Sequence, residues 1–395
     1  MNPINALTAV THHAPYPYYA GLVSGPPLIF DRELGLWIAS RAAVVTEVLE
    51  NPHCRVRPAL EQVPRALAGL PVGDIFGHLV RMNDGEKHAL PKIALRRALA
   101  RLDQARVAGC ARNAVHALNE LYDLRSEQAF APWSHSLPIY IVASLLGFDE
   151  AALPKIDAWM SAFVASLSPL STGEQIALGA DAAHALLERF AALAMEEGTQ
   201  EGSLLRLVRQ EAHIAGWHDA SAILANAIGL LSQTYDATAG LIGNSVVALL
   251  TQPGLEEIVR DRPSAIAELV REVSRFDPPV QNTRRFVVQP TSIAGIGLAA
   301  GDVVLLSLAA ANRDPQANAR PGELLLERPD RRVFAFGHGP HACPGQALAA
   351  SIAAAGISTL LQTPTAIRGR AVSWSYRPSL NGRIPIFKSA PAMES

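Results

Sequence analysis

Residues 336–345 read Phe336-Gly337-His338-Gly339-Pro340-His341-Ala342-Cys343-Pro344-Gly345, followed by the apolar run from Gln346 to Leu361. Three glycines and two prolines specify a tight loop, and the run after it has helical composition. Cys343 therefore sits just ahead of a helix N-terminus, where unpaired backbone amides and the helix dipole favour a thiolate. A soft anionic sulfur held by amides suits an iron ligand. Other readings exist: a lone cysteine is usually a small buried hydrophobe, as Cys54 and Cys110 are expected to be, and a nucleophilic cysteine would need a base such as His341. The glycines fit neither a dinucleotide loop nor a P-loop, and no Lys-Ser or Lys-Thr follows. Gly295-x-Gly297 reads as a hairpin turn.

The decapeptide resembles the heme-binding loop of the cytochrome P450 family, in its Phe-Gly-x-Gly-x-His-x-Cys-x-Gly form. The resemblance implies that Cys343 is the proximal ligand of a heme b iron, with Phe336 packed beside the sulfur. It implies that Gly337 and Gly339 let the backbone bend close, that His341 reaches a propionate, and that Gly345 lets the next helix run tight against the porphyrin. A thiolate there would push electron density onto iron and favour O–O cleavage.

Further segments agree. Glu272-Val273-Ser274-Arg275 resembles the family's Glu-x-x-Arg, whose spacing places both charges on one helix face. Glu268 and Arg271 share that spacing and read as a solvated pair, because Phe276-Asp277-Pro278-Pro279-Val280-Gln281 follows Glu272 and Arg275 as the family expects. Arg285 then falls where bacterial members set an arginine against a propionate. Ala311-Asn312-Arg313-Asp314-Pro315 resembles a segment between the strands and the heme loop. His88 and Lys92 occupy the family's His-x-x-x-Arg, with lysine keeping the charge but losing the bidentate fork.

The rest of the chain sets bounds. At 395 residues, about 150 per domain would give two or three domains, yet no linker or repeat divides the sequence, and a single domain is expected over 1–395. Its parts are a β-rich region to about residue 80, a helical core over about 85–275, and β-rich segments with the heme loop over about 280–395. Strands are expected at Leu36 to Ala39, Arg285 to Val288, Val303 to Leu306 and Ile384 to Phe387, so that small sheets gather near both ends. Prolines 138, 154, 169 and 253 punctuate the helices. The fold class is mainly α with small sheets; the resemblance makes it a triangular helical prism with heme between a long distal helix and the cysteine loop.

Hydrophobic residues make up 49% and charged residues 18%, with a net charge of -2, which excludes a disordered chain and a phosphate-gripping protein. Three scattered cysteines fit a reducing cytoplasm. Met1-Asn2-Pro3-Ile4-Asn5 lacks a basic leader, so no signal peptide is expected. No membrane association is expected, since the stretch Ala222 to Leu250 is interrupted by Asn226, Ser232, Gln233, Thr234, Asp236 and Asn244.

That stretch reads as a buried helix of roughly 44 Å at 1.5 Å per residue, with polar residues at its centre. Such a cluster marks a cavity or ligand, or else side chains that bond back to carbonyls and trapped water. The family commonly carries Ala-Gly-x-(Asp or Glu)-Thr there to organise proton delivery. This chain reads Gln233-Thr234-Tyr235-Asp236-Ala237-Thr238, which keeps the acid and places Ala237 at the threonine position. Thr238 lies about 100° further round the helix and cannot simply substitute. Asp236, Ala237, Thr238, Gln233 and Thr234 are thus the candidate distal residues.

The resemblance implies a monooxygenase that takes two electrons from a ferredoxin or flavodoxin with its reductase, activates O2 and oxidises a small organic, secondary-metabolite substrate. Arg96, Arg97, Arg331 and Arg332 are candidates for docking the acidic carrier. The altered distal helix leaves open peroxide-driven oxidation, oxidative coupling, desaturation or rearrangement. A non-catalytic heme sensor is a third expectation, disfavoured by the acid retained in a buried helix. The pocket is expected to draw on the segment before His88, the helices around Phe163 and Leu187, Val280 to Thr283 and a turn near Leu380.

Overall fold

The long apolar stretch folds as one unbroken helix of 32 residues, Ala220–Thr251, in a computed structural model that describes residues 3, 5–196, 201–363 and 372–389. The segment read for a leader lies partly outside the described residues. In chain order the helices are α1 (Tyr16–Ser24), α2 (Ala42–Glu50), α3 (Pro71–His78), α4 (Glu86–Ala100), α5 (Gln104–Leu121), α6 (Glu127–Leu146) and α7 (Leu153–Ser166). There follow α8 (Gly173–Met195), α9 (Leu204–Ala215), α10 (Ala220–Thr251), α11 (Leu255–Asp261), α12 (Ala265–Phe276), α13 (Leu308–Asn312) and α14 (Gln346–Gln362). The strands are β1 (Leu28–Asp31), β2 (Leu36–Ala39), β3 (Cys54–Arg55), β4 (Asn282–Val287), β5 (Thr291–Ile293), β6 (Ile296–Leu298), β7 (Val303–Ser307), β8 (Val372–Tyr376) and β9 (Pro385–Ser389).

Helix α10 starts where the Asp219 carboxylate accepts the Ala222 N–H at 3.0 Å. It is buried on nearly every side against α3, α6, α12 and α14. Proline 138 does not end a helix as expected: Pro132 and Pro138 both lie inside α6, whose Trp133, Leu137, Ile139 and Ile141 are fully buried. That packing outweighs the roughly 3 kcal/mol a proline costs in a helix. Residues Gln128–Leu146 have the length and hydropathy of a membrane span, yet 78% of the stretch is buried inside the protein.

The first eighty residues alternate short helices with strands rather than forming a β-rich unit. Nor do separate sheets gather at the two ends. Strands from both ends form one sheet in the order β1-β2-β7-β4-β3, parallel between β2 and β7 and antiparallel elsewhere. The pairs β5-β6 and β8-β9 stand apart. The turn of the first is Ala294-Gly295, both at positive φ, as a tight hairpin requires.

Helix α12 carries the most heavily loaded polar cluster. Glu272 and Arg275 are both fully buried, 2.6 Å apart. The same carboxylate accepts from Arg328 Nε at 2.9 Å, Arg331 Nε at 2.8 Å and the Leu325 N–H at 3.2 Å. The guanidiniums then donate to the carbonyls of Asn312, Pro321, Glu323 and Leu326. Arg331 is therefore structural, which corrects its candidacy as a docking cation. Glu268 pairs with Arg262 at 3.2 Å, not with Arg271.

Burial opposes ionisation of Glu272, but Arg275, Arg328 and the Leu325 amide overcome it and hold the carboxyl below its ordinary value. Its stabilisation is present above the unfolded value of about 4.3 and is lost as pH falls through the lower folded value. Glu272→Gln leaves three buried guanidiniums uncompensated and should cost about 3–5 kcal/mol in urea unfolding. Glu268→Gln, in a partly exposed pair, should change stability by no more than about 1 kcal/mol.

Candidate active site

The cysteine loop is held by its own backbone. The Cys343 N–H donates to the Phe336 carbonyl at 2.7 Å, and the Gly337 N–H to Phe334 at 2.8 Å. Gly337 and Gly339 take φ of 71° and 62°, and a Cβ on Gly337 would stand 3.2 Å from the His341 carbonyl. Asn312 anchors the approach, accepting the Phe334 N–H at 2.6 Å. Two residues, Pro344 and Gly345, separate Cys343 from α14. Its surface is open to solvent-sized space although protein surrounds it, so it faces an internal cleft. The expected preference for thiolate is not met by the protein alone: burial pushes the thiol up, against the Gly345 amide and Lys92.

The residues expected at the propionates converge. The His88 and His341 rings lie 4.1 Å apart, and Lys92 Nζ donates to the Ala342 carbonyl beside the cysteine. Arg285, on β4, is 5% exposed and among the described residues bonds only to its own strand, at Arg284 O (2.9 Å) and Thr283 Oγ1 (3.5 Å). Two further residues belong here that sequence reading missed. Asp84 accepts from His341 Nε2 at 3.0 Å and from the Val56 N–H at 3.1 Å. Arg57 donates to Asn83 Oδ1 at 2.6 Å. Asp84 stands just before the motif that holds His88; Arg57 carried no signal.

Buried His88 Nε2 and Arg57 Nη1 have no hydrogen-bond partner among the described residues. Burial first, then His341 and Lys92, lower the His88 pKa to about 4, so its ring is neutral. Lys92, Arg285 and Arg57 outnumber Asp84, an excess of cations that the two carboxylates of a heme would neutralise. With an accessible sulfur on the same cleft, these residues fit a heme.

Across the cleft, Gln233 is exposed and Thr234 to Ala237 are half-buried, in a helix otherwise interior. Asp236 meets Arg377 Nη2 at 2.5 Å and stands 3.5 Å from His135 Nε2. Desolvation would raise this carboxyl, but His135 and Arg377 hold it below its ordinary value. Neither partner was legible in spacing, since Arg377 is 141 residues away.

Gln233 Nε2 donates to Gly229 O at 2.8 Å, and Thr234 Oγ1 to the carbonyls of Leu230 and Leu231, so both bond back to the helix. Thr238 is 1% exposed, and its hydroxyl has no hydrogen-bond partner among the described residues. Phe163 is fully buried in the core rather than lining the pocket, while Leu187 is half-buried. The late turn does reach Val280 to Thr283: Val280 bridges Gly382, and Asn282 Nδ2 donates to Leu380 O at 2.9 Å.

Removing the closest cation should raise the distal acid. In Arg377→Ala the Asp236 carboxyl is expected to titrate at higher pH than in the parent, read from its 13C shift or carbonyl infrared band. An unchanged titration would show that Arg377 does not hold the charge.

A model of the cytochrome P450 family matches residues 266–364. The biotin biosynthesis cytochrome P450 of Bacillus subtilis (strain 168) is 26% identical, over 67% of this chain and 67% of its own. The 6-deoxyerythronolide B hydroxylase of Saccharopolyspora erythraea is 28% identical over 85% of this chain and 84% of its own. The crystal structure of CalO2 shares the fold at a TM-score of 0.80 and 22% identity, covering 99% of both chains.

Proposed function

Because this chain belongs to the cytochrome P450 family of monooxygenases, we propose that it binds heme b through Cys343 and oxidises a small organic molecule between α10 and the cysteine loop. O2 is the oxidant, and two electrons arrive from an external ferredoxin or flavodoxin with its reductase. The observation that carries this reading is the convergence on one cleft of the accessible Cys343, nitrogens of His88 and Arg57 that have no hydrogen-bond partner among the described residues, and an Arg285 that bonds there only to its own strand. Relatives named for 6-deoxyerythronolide B hydroxylation and for biotin biosynthesis support a metabolite as substrate.

When bound, the heme supplies oxygen activation at its iron. Cys343 would ligate that iron, and His88, Lys92, Arg285 and His341 would hold the propionates, with Asp84 orienting His341. Gly337 and Gly339, both at positive φ, would let the backbone bend close to the ring. On the distal side Asp236 is kept ionised, and its Oδ1 has no hydrogen bond. It can take a proton from water and pass it on when Arg377 loosens. Ala237 offers no hydroxyl, so that relay runs through water ordered by Asp236, through a substrate hydroxyl, or through Gln233 once its amide leaves the Gly229 carbonyl. Arg96 and Arg97 on α4, with Arg332, remain exposed and suit an acidic electron carrier.

Ala237 on an unbroken α10 also supports a second reading, in which peroxide-driven oxidation, coupling, desaturation or rearrangement replaces ordinary hydroxylation. Reduced protein with carbon monoxide should give the red-shifted Soret band of thiolate-ligated heme, and Cys343→Ala should abolish it. Heme-loaded parent protein without that band would refute the reading. Ala237→Thr separates the alternatives: a several-fold gain in hydroxylation of a surrogate favours the monooxygenase, and no gain favours the second chemistry.

A further inference from the structure

Helix α6 sets one imidazole against the distal acid. His135 lies where α6 packs on α10, its ring 4.9 Å from that of Tyr235. One turn earlier on α6, the Ala131 carbonyl stands 2.8 Å from His135 Nδ1. A carbonyl oxygen can only accept, so Nδ1 carries a hydrogen. In the neutral ring Nε2 is therefore bare, and it lies 3.5 Å from Asp236 Oδ1. Both atoms are buried, and neither has a hydrogen-bond partner among the described residues.

Two acceptors face to face repel, and each is costly to bury unpaired. One proton on Nε2 removes both costs, because an imidazolium donates from both nitrogens. The bond to Ala131 thus leaves the second proton site aimed at the carboxylate. The two partners of Asp236 differ in kind. A guanidinium does not release its proton inside proteins, so Arg377 can only offset charge. An imidazolium does release one near neutrality, as an acid about nine powers of ten stronger than bulk water. The titratable and charged groups around the ring come from three elements: Asp236 and Tyr235 on α10, Asp157 on α7, and Arg377 after β8. Tyr235 and Asp157 are each engaged by a serine: the Tyr235 hydroxyl donates to Ser161 at 3.0 Å, and Asp157 accepts from Ser136 at 2.6 Å.

We propose that His135 is a positioning residue of the distal site that supplies protons to Asp236. The Nε2–H bond breaks as the Oδ1–H bond forms, which turns imidazolium and carboxylate into neutral imidazole and carboxylic acid. Solvent reaches the ring, whose side chain is 14% exposed, and returns a proton to Nε2. Asp236 passes its own proton into the cleft, where Ala237 offers no hydroxyl. The 3.5 Å gap is one that closes in the reacting complex, as catalytic hydrogen bonds do. This rests on the reading of Asp236 as the acid of a P450 oxygen site.

The test uses the heme-loaded protein. In its diamagnetic ferrous carbon monoxide form, the 15N signals of His135 are assigned by their loss in His135→Gln. They should show Nδ1 protonated throughout a titration and Nε2 gaining its proton on acidification. In turnover of a surrogate substrate, electrons that reach product are counted against those lost as released peroxide. The product share should fall in the parent as pH rises from about 6 to 8, where an imidazole loses its proton. His135→Gln should lower that share about tenfold at the acid end and flatten its pH dependence, with heme content unchanged. Asp236→Asn should do the same, and the double variant no more. A neutral ring with its hydrogen on Nε2 would overturn the proposal, as would a loss that keeps the parent's pH slope. A parent without the red-shifted carbon monoxide band would refute the proposed function and the relay with it. A parent that shows the band while His135→Gln changes nothing would refute the relay alone.

Discussion

One carboxylate, that of Glu272, organises the cysteine side of the molecule. It is fully buried and receives three guanidiniums and a backbone amide. Burying so much charge is worthwhile only where every remaining donor finds a carbonyl. Here those carbonyls lie between Asn312 and Leu326. Cations that neutralise Glu272 therefore also staple the long irregular segment ahead of the cysteine loop onto α12. Asn312 continues the restraint: its carbonyl takes Arg275 and its side chain takes the Phe334 amide. The position of the sulfur is thus set by a chain of polar contacts that begins more than sixty residues earlier.

The two walls of the cleft are built on different physics. On the cysteine wall, positive charge exceeds negative, and buried nitrogens lack partners. On the α10 wall, Asp236 is already compensated by Arg377 and His135. An anionic group is favoured at the first and a neutral or proton-exchanging group at the second. The compensating Arg377 comes from the stretch just after β8, so proton chemistry at α10 is coupled to a segment far along the chain.

What was legible in the sequence was local. The glycines of the cysteine loop, the spacing of Glu272 and Arg275, and the position of Ala237 are fixed by neighbours within one turn or one loop. The long helix was legible because its apolar composition leaves no polar face for solvent. The rest depends on chain segments meeting. Asp236 reads as an acid from sequence, but Arg377 and His135 become its partners only when the stretch after β8 and helix α6 meet α10. Arg331 read as a surface cation because its partner, Glu272, is on another element. Pro138 read as a helix end because propensity is local, while the burial that overrides it in α6 is not. His88 and Lys92 were found through their motif, whereas Arg57 and Asp84 were not, since only the fold brings them to the same cleft.

The parallel pairing of β2 with β7 bears on how the protein is made. Trp37, Ile38 and Ala39 wait for Val304, Leu305 and Leu306 before their ladder can close. During synthesis the edge of β2 stays unpaired while α3 to α12 emerge and pack. Contacts of such long sequence separation form late and slowly. An open strand edge is a template for the wrong partner. Nascent chains stalled before residue 303 would carry a helical core still lacking α14 and a bare, apolar strand, a species that chaperones would have to shield until the last quarter of the polypeptide arrives.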